Sequence, residues 1–357
     1  MAPVAPVRRI RSGTVLCTIT ADYVRVRPMV AAPELHPRTP RVPRRCANLA
    51  GMDRTARTAG VDVGGTKVAV GLLDGTTLTP QGLEPTEVHD PEALLAQITR
   101  LVGALGPVEA VGIGVPSVVR ISDGRVVSSA NIDAFRDVAL RDELASRLGV
   151  PVHVDNDANL AALSEAWGED LELLHSSLVC VTVGTGIGGG AVVGGRPLHG
   201  ARTSAFELGH LTVGADLTHG APPAGDAPLP GSLEHWASGR ALDRLARERG
   251  FDGGPALTDA AEAGDDRAVD ALRILGERLG VGIAAVITLL EPEVVVVGGG
   301  VSRAGELLVG PAREAARRLL LPGLGTDTEI RVAQHGPQAG LRGAALLARL
   351  EESPTDA

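Results

Sequence analysis

Between residues 58 and 350 the apolar residues fall into short uninterrupted runs separated by amphipathic stretches, the pattern of buried strands alternating with helices. Gly60-Val61-Asp62-Val63 reads as a strand, broken at once by Gly64-Gly65-Thr66-Lys67. Val68 to Leu73 reads as a second strand, with a hairpin signal at Asp74-Gly75. The pattern predicts a helix over Pro91 to Leu105, a buried strand over Val108 to Val115 and a helix over Arg136 to Leu148. A strand over Pro151 to Asp155 then leads into a helix over Asp157 to Ala166. Ser177 to Val183 is a buried strand entering the glycine-rich turn Gly184 to Gly190, after which Ala191-Val192-Val193 continues as a strand. A long helix over residues 268–290 precedes the strand Val294 to Val297, which ends in Gly298-Gly299-Gly300. Helices over Glu306 to Leu320 and Gly340 to Leu350 complete the pattern. A strand–glycine turn–strand hairpin thus occurs twice, near residues 60–73 and 178–193, and marks an internal repeat.

Composition narrows this to an α/β protein of about two domains. The chain has 357 residues, 44% apolar and only 2% aromatic, with 46 glycines. Its longest nearly uncharged apolar stretch, Leu279 to Leu290, is shorter than the roughly 20 residues a membrane span needs, so no membrane partner is expected. Three cysteines cannot by themselves complete a four-ligand zinc site. Lys67 is the only lysine among 34 basic residues.

The first 51 residues differ from the rest. They hold seven prolines and nine arginines against one aspartate and one glutamate, a net of +7, so the remainder carries −16 of the total −9. A body that acidic argues against nucleic acid as a partner. Its basic, acid-poor composition is compatible with a targeting peptide or a DNA-binding arm. The preferred reading is a disordered basic tail outside the fold, with translation starting at Met52.

Three glycine-rich turns follow three strand ends, where backbone N–H groups can approach a phosphate closely. One such turn is usually only a turn; three with a duplicated hairpin point to a nucleotide. Asp62, on the strand entering the first turn, is placed to hold Mg²⁺ through water. Asp157 lies in Asp155-Asn156-Asp157-Ala158-Asn159 at a strand-to-helix junction. It can cap the helix there, or accept a proton from an attacking alcohol. Glu207-Leu208-Gly209-His210 and Leu233-Glu234 add a third polar group among apolar and glycine neighbours.

In order, Asp62-Val63-Gly64-Gly65-Thr66-Lys67, Asn156-Asp157-Ala158-Asn159, Gly184-Thr185-Gly186-Ile187-Gly188, Glu207-Leu208-Gly209-His210 and Gly298-Gly299-Gly300 resemble the ROK family (repressors, open reading frames and sugar kinases), and most of all its glucokinase-like members. The resemblance covers about residues 58–350. It implies an actin-like ATPase (RNase H-like) fold, with a small domain of 58–165 plus 340–352 and a large domain of 166–339 closing over a cleft. It implies an ATP-dependent hexose kinase, cytoplasmic and homodimeric, using ATP and Mg²⁺. Asp157 would be the general base. Gly64, Gly65, Thr66 and Lys67 would face the phosphates, Gly184, Thr185 and Gly186 would clamp them, and Gly298, Gly299 and Gly300 would border the adenosine. Asn131, Asn156, Glu207, His210 and Glu234 would hold the sugar.

The chain also departs from the family pattern. The three zinc-binding cysteines of many members correspond here to Gly225, Ala227 and Ser232, so of the usual ligands only His210 is kept and no zinc is expected. The usual glycine before the glutamate is Phe206, Pro116-Ser117-Val118 replaces a Pro-Gly-Pro-like turn, and Glu291 replaces an asparagine. These changes cluster on the sugar side. The same resemblance also admits a sugar-binding transcriptional repressor or a non-catalytic sugar-binding protein. Residues 1–51 lack the periodicity of a helix-turn-helix, which counts against the first.

Overall fold

The structure, a computed structural model, describes residues 53–129, 132–221, 225 and 228–352; residues 1–51 and Asn131 lie outside these. In chain order its elements are β1 (Arg57–Val63), β2 (Lys67–Asp74), β3 (Thr77–Pro85), α1 (Pro91–Gly103), β4 (Ala110–Val115), β5 (Ser117–Arg120), β6 (Arg125–Ser129), β7 (Arg136–Val138), α2 (Leu140–Leu148), β8 (Val152–Asn156) and α3 (Asp157–Ala166). They continue with β9 (Ser177–Val183), β10 (Ile187–Val193), β11 (Arg196–Pro197), α4 (Leu233–Ala237), α5 (Gly239–Glu248), α6 (Gly254–Glu262), α7 (Asp266–Leu290), β12 (Val294–Gly298), α8 (Glu306–Leu319), β13 (Glu329–Val332) and α9 (Ala339–Glu351). No described helix is long and apolar enough to cross a membrane.

Two five-stranded sheets share one topology. The first runs β3-β2-β1-β4-β8 and the second β11-β10-β9-β12-β13. In each, an antiparallel hairpin (β1 with β2, β9 with β10) is extended by two parallel strands. The internal repeat read from the two glycine hairpins is therefore a repeat of whole sheets. The central strands β4 and β12 are buried along their full length, as parallel strands covered on both faces must be.

Local chemistry accounts for the element ends. Asp90 caps α1 by accepting from the Glu92 N–H at 2.9 Å, and Pro91 occupies the first turn, where its missing N–H costs nothing. Asp265 caps α7 through the Arg267 N–H in the same way.

Two expectations are corrected. Arg136 to Val138 is a strand, because it pairs antiparallel with β6, and Asp137 takes a left-handed φ of 54° that stops any helix before Leu140. The second glycine turn is also shorter than Gly184 to Gly190, because pairing with β9 resumes at Ile187 opposite Val183.

Helices α3 and α9 form the layer between the sheets. Their side chains join Leu73 of β2, Cys180 of β9 and Val296 of β12 in one buried cluster. The layer is thin because glycines let backbones meet. A Cβ on Gly112 of β4 would lie 1.8 Å from the Ala344 carbonyl oxygen, and one on Gly343 of α9 would lie 1.9 Å from that of Leu160. On the far side of α3, a Cβ on Gly190 of β10 would lie 2.2 Å from the Ala158 carbonyl oxygen.

Gly343→Ala therefore forces α3 and α9 apart, and its cost should be at least the roughly 1–3 kcal/mol of core overpacking. Gly103→Ala, at a helical position with nothing within 4 Å, should be neutral or stabilise by up to about 1 kcal/mol. Thermal unfolding of both variants checks this, and equal melting temperatures would contradict it.

Candidate active site

In the first sheet β1, β4 and β8 run parallel, so Val63, Val115 and Asn156 end at one edge. In the second, Val183, Gly298 and Val332 do the same. Ligands of open α/β sheets collect at the carboxyl ends of the strands. A cavity of about 200 Å³ opens there, lined among others by Asp62, Asp157, Thr182, Gly298, Gly299 and Gly340.

Asp62 is the penultimate residue of β1. It abuts the first turn of α9, where a Cβ on Gly340 would lie 2.8 Å from its Oδ2. Burial raises its pKa, and the Lys67 charge pulls partly against this. Asp157 is the first residue of α3. Burial pushes its pKa up to about 7, and the charges of Asp62 and, less strongly, Glu207 add to this, although its Oδ1 accepts the Ala158 N–H at 2.8 Å. Two carboxylates in one cavity cannot both ionise freely, so their protonation is set by each other and by whatever cation enters.

The helix is capped by Asn156 rather than Asp157. Asn156 Oδ1 accepts from the Ala158 and Asn159 N–H groups at 2.9 and 3.4 Å, while its Nδ2 donates to the Ser117 carbonyl at 3.3 Å. Asp157 shares the Ala158 N–H with Asn156 through Oδ1 alone.

The three glycine turns are each braced by main chain. In the first, the Gly64 N–H donates to the Lys67 carbonyl at 2.9 Å, and Thr86 holds Thr66 and Gly64 through its N–H and hydroxyl. Gly65, Thr66 and Lys67 stand exposed. In the second, Gly184 donates to the Gly186 carbonyl at 3.0 Å, the start of α5 donates from Gly239 to the Gly184 carbonyl at 2.7 Å, and Thr185 stands exposed. In the third, Gly299 has a φ of 85° and lies so close to β9 that a Cβ would sit 2.5 Å from the Val183 carbonyl oxygen, with Gly300 exposed beside it. That contact joins the second and third turns.

Glu234, on α4, accepts the Ile187 N–H at 2.9 Å through Oε2, which also packs against Gly186 and Gly209. It therefore ties the second glycine turn to the short helical turn Leu208–His210. Glu207 and His210 flank that turn and are exposed. Phe206 before them has a φ of 71°, a left-handed backbone that disfavours a side chain by roughly 1–2 kcal/mol, which is the physical reason a glycine suits this position. Of the positions aligned with zinc ligands, Gly225 is exposed and Ser232 caps α4 through the His235 N–H, while Ala227 lies outside the described residues. Among the described residues no group of three or more His, Cys, Asp or Glu is placed to hold a metal ion.

Sequence reasoning missed three polar residues. Glu165 is buried on α3 and lines the same cavity, where it accepts the Gln334 and His335 N–H groups at 2.7 and 2.8 Å and pairs with Arg331. Asp155 and His199 form a pair beside the β8–α3 junction, at 2.7 Å. Asp155 stands beside Asn156, Asp157 and Asn159 in sequence and reads there only as one member of a polar run; the lone His199 carried no signal.

Residues 58–351 match the model of the ROK family. The chain belongs to the ROK family. Among ROK relatives, a glucokinase of Streptomyces coelicolor is 37% identical over 321 residues, covering 82% of this chain and 97% of that one. An N-acetyl-D-glucosamine kinase of Erwinia tasmaniensis is 35% identical over 301 residues, covering 81% and 98%. The crystal structure of a ROK family glucokinase from Streptomyces griseus, in complex with glucose and AMPPNP, superposes with a TM-score of 0.67 at 35% identity, covering 82% of this chain and 99% of that one. The ROK fold here is accordingly the α/β, actin-like ATPase fold, and the duplicated sheets are its two halves.

The raised pKa of Asp157 has a stability consequence. A carboxyl with a folded-state pKa above its unfolded value of about 3.9 binds more protons when folded, so its contribution falls as pH rises from about 4 toward 7. Asp157→Asn removes that loss. Its melting temperature relative to the parent should therefore be higher at pH 8 than at pH 4. An equal difference at both pH values would show that Asp157 titrates normally.

Proposed function

We propose that this ROK chain is an ATP-dependent sugar kinase that transfers the γ-phosphoryl group of ATP to a hydroxyl of a hexose, glucose before others, with Asp157 as general base. The observation that carries this is one cavity that brings Asp157, its pKa pushed up to about 7 by burial, together with the ends of glycine-turn strands. A general base works best when its pKa lies near the operating pH. Phosphoryl transfer otherwise asks for positioning and charge neutralisation, which braced backbone turns supply.

On this reading Gly64, Gly65, Thr66 and Lys67 face the transferred phosphate, with Lys67 contributing a cation. Gly184, Thr185 and Gly186 clamp the phosphates from the second sheet, and Gly298, Gly299 and Gly300 border the adenosine. Asp62 fits a divalent cation: it is a half-buried carboxylate for which no hydrogen bond from another described residue is seen, and Lys67 offsets its charge only in part. Bound there, Mg²⁺ would neutralise charge on the phosphates. Asn156, Glu207, His210 and Glu234 hold the sugar hydroxyls, and Asn131 joins them. Asp157 takes the proton from the attacking hydroxyl. The lobes 58–165 with 340–352 and 166–339 close over the substrates and exclude water.

Coupled measurement of ADP release with MgATP and glucose, mannose or N-acetylglucosamine tests the proposal. Glucose should be turned over, with kcat/KM roughly tenfold or more above N-acetylglucosamine, since a pocket built for one hydroxyl rejects a bulkier group. Calorimetric binding of glucose with no ADP release from any hexose would overturn it in favour of a sugar-binding regulator.

A further inference from the structure

Beside β8 lies a second cavity, of about 510 Å³, lined by Arg141, His153, Asp155, Arg196, His199 and Glu351 among others. Its central contact is His199 Nε2 on Asp155 Oδ2 at 2.7 Å, with the Asp155 side chain 2% exposed and that of His199 25% exposed. Asp155 is saturated. Its Oδ1 also accepts the Asn156 N–H at 2.7 Å and the Asn159 Nδ2 at 2.9 Å. These donors belong to the residues on either side of Asp157, so Asp155 sets the path of the turn that presents the base.

His199 comes from the opposite half of the molecule. It follows β11, and Leu198 next to it still donates to the Ala191 carbonyl of β10 at 2.8 Å. The His199 carbonyl accepts the Ala205 N–H at 3.1 Å, which closes the loop leading into Phe206, Glu207 and His210. Gly200, with a φ of 71° and Ala205 Cβ 2.8 Å from where its own Cβ would stand, makes that closure tight. One residue therefore bonds the Asp157 turn by its ring and the Glu207 loop by its backbone. The pair is also electrostatically settled: burial alone would lower the imidazole pKa, but the Asp155 bond and charge outweigh it and leave it raised.

The geometry points to His199 as a positioning residue that, through Asp155, locks the turn carrying Asp157 to the loop carrying Glu207 and His210, so that base and sugar-holding side chains keep one mutual geometry. The kinetic part of this rests on the sugar-kinase reading above; the mechanical part does not. Among the described residues no hydrogen bond joins the glycine turns at 64–67, 184–186 or 298–300 to His199, and the effect should therefore fall on the sugar.

Hydrogen exchange by mass spectrometry and steady-state kinetics on the full chain test this with His199→Ala, His199→Phe and His199→Gln. The glutamine carries a donor at the place of Nε2; the phenylalanine keeps the ring without one and serves if the alanine variant does not fold. In the variants lacking the donor, peptides spanning 153–163 and 199–211 should exchange about tenfold faster, with α1 unchanged and glutamine restoring both segments. Glucose kcat/KM should fall roughly 10–100-fold, the scale of a misplaced reacting group, while the ATP KM stays within about twofold. Wild-type exchange in the two segments, or equal acceleration across the whole chain, would overturn the proposal, as would parallel loss of sugar and ATP parameters. A wild-type protein that phosphorylates no hexose would sink the kinase reading, and the exchange pattern would still decide the role of His199.

Discussion

The site depends on how closely two helices can lie between two sheets. Helices normally pack with axes 8–10 Å apart. Here Gly112, Gly343 and Gly190 remove the side chains at successive contacts, from β4 to α9, from α9 to α3 and from α3 to β10. This series of backbone contacts brings the first turn of α9 against Asp62 and carries Asp157, at the start of α3, into the same cavity. A methyl group at any of these contacts would push backbones apart and shift the two carboxylates relative to one another.

Buried polar groups fix the same layer in register. Arg342 of α9 donates to the carbonyls of Ser164 at 2.7 Å and of Gly168, and Arg349 donates to those of Ala56, Leu73 and Gly75. These guanidinium groups sit on carbonyl oxygens at element ends, which would otherwise be buried without donors. Glu165 does the converse for the N–H groups of Gln334 and His335 just before α9. Asp62 and Asp157 differ from these groups: they are carboxylates whose pKa values burial raises, with little to compensate their charge. Such uncompensated charge is destabilising, and it is found where a ligand or cation completes the set.

Much of this was legible in the sequence because it is local. The β1–β2 and β9–β10 hairpins announce themselves by apolar runs interrupted by glycine, and Asp157 by its place just past a strand. What depends on distant partners was not legible. Arg136 to Val138 has the composition of a helix start and becomes a strand only because β6 lies beside it. Gly188 to Gly190 reads as turn but is strand, since its glycines serve the approach of α3 and the pairing with β9. That Asn156 caps α3 and bonds the Ser117 carbonyl could not be read either, since the second bond depends on β5 lying beside it. The Asp155–His199 bond spans 44 residues, and no spacing rule joins them. Phe206 was visible as a departure, but its left-handed backbone was not.

Asp157, whose pKa burial pushes up to about 7, is proposed as the proton acceptor in phosphoryl transfer. The most direct measurement is kcat of Asp157→Asn with saturating MgATP and glucose, alongside glucose affinity by calorimetry. Asparagine keeps the shape and a hydrogen-bonding oxygen but cannot accept the proton. The account predicts a kcat lower by about 10²–10⁴-fold with glucose affinity nearly unchanged. Wild-type turnover in this variant would contradict it.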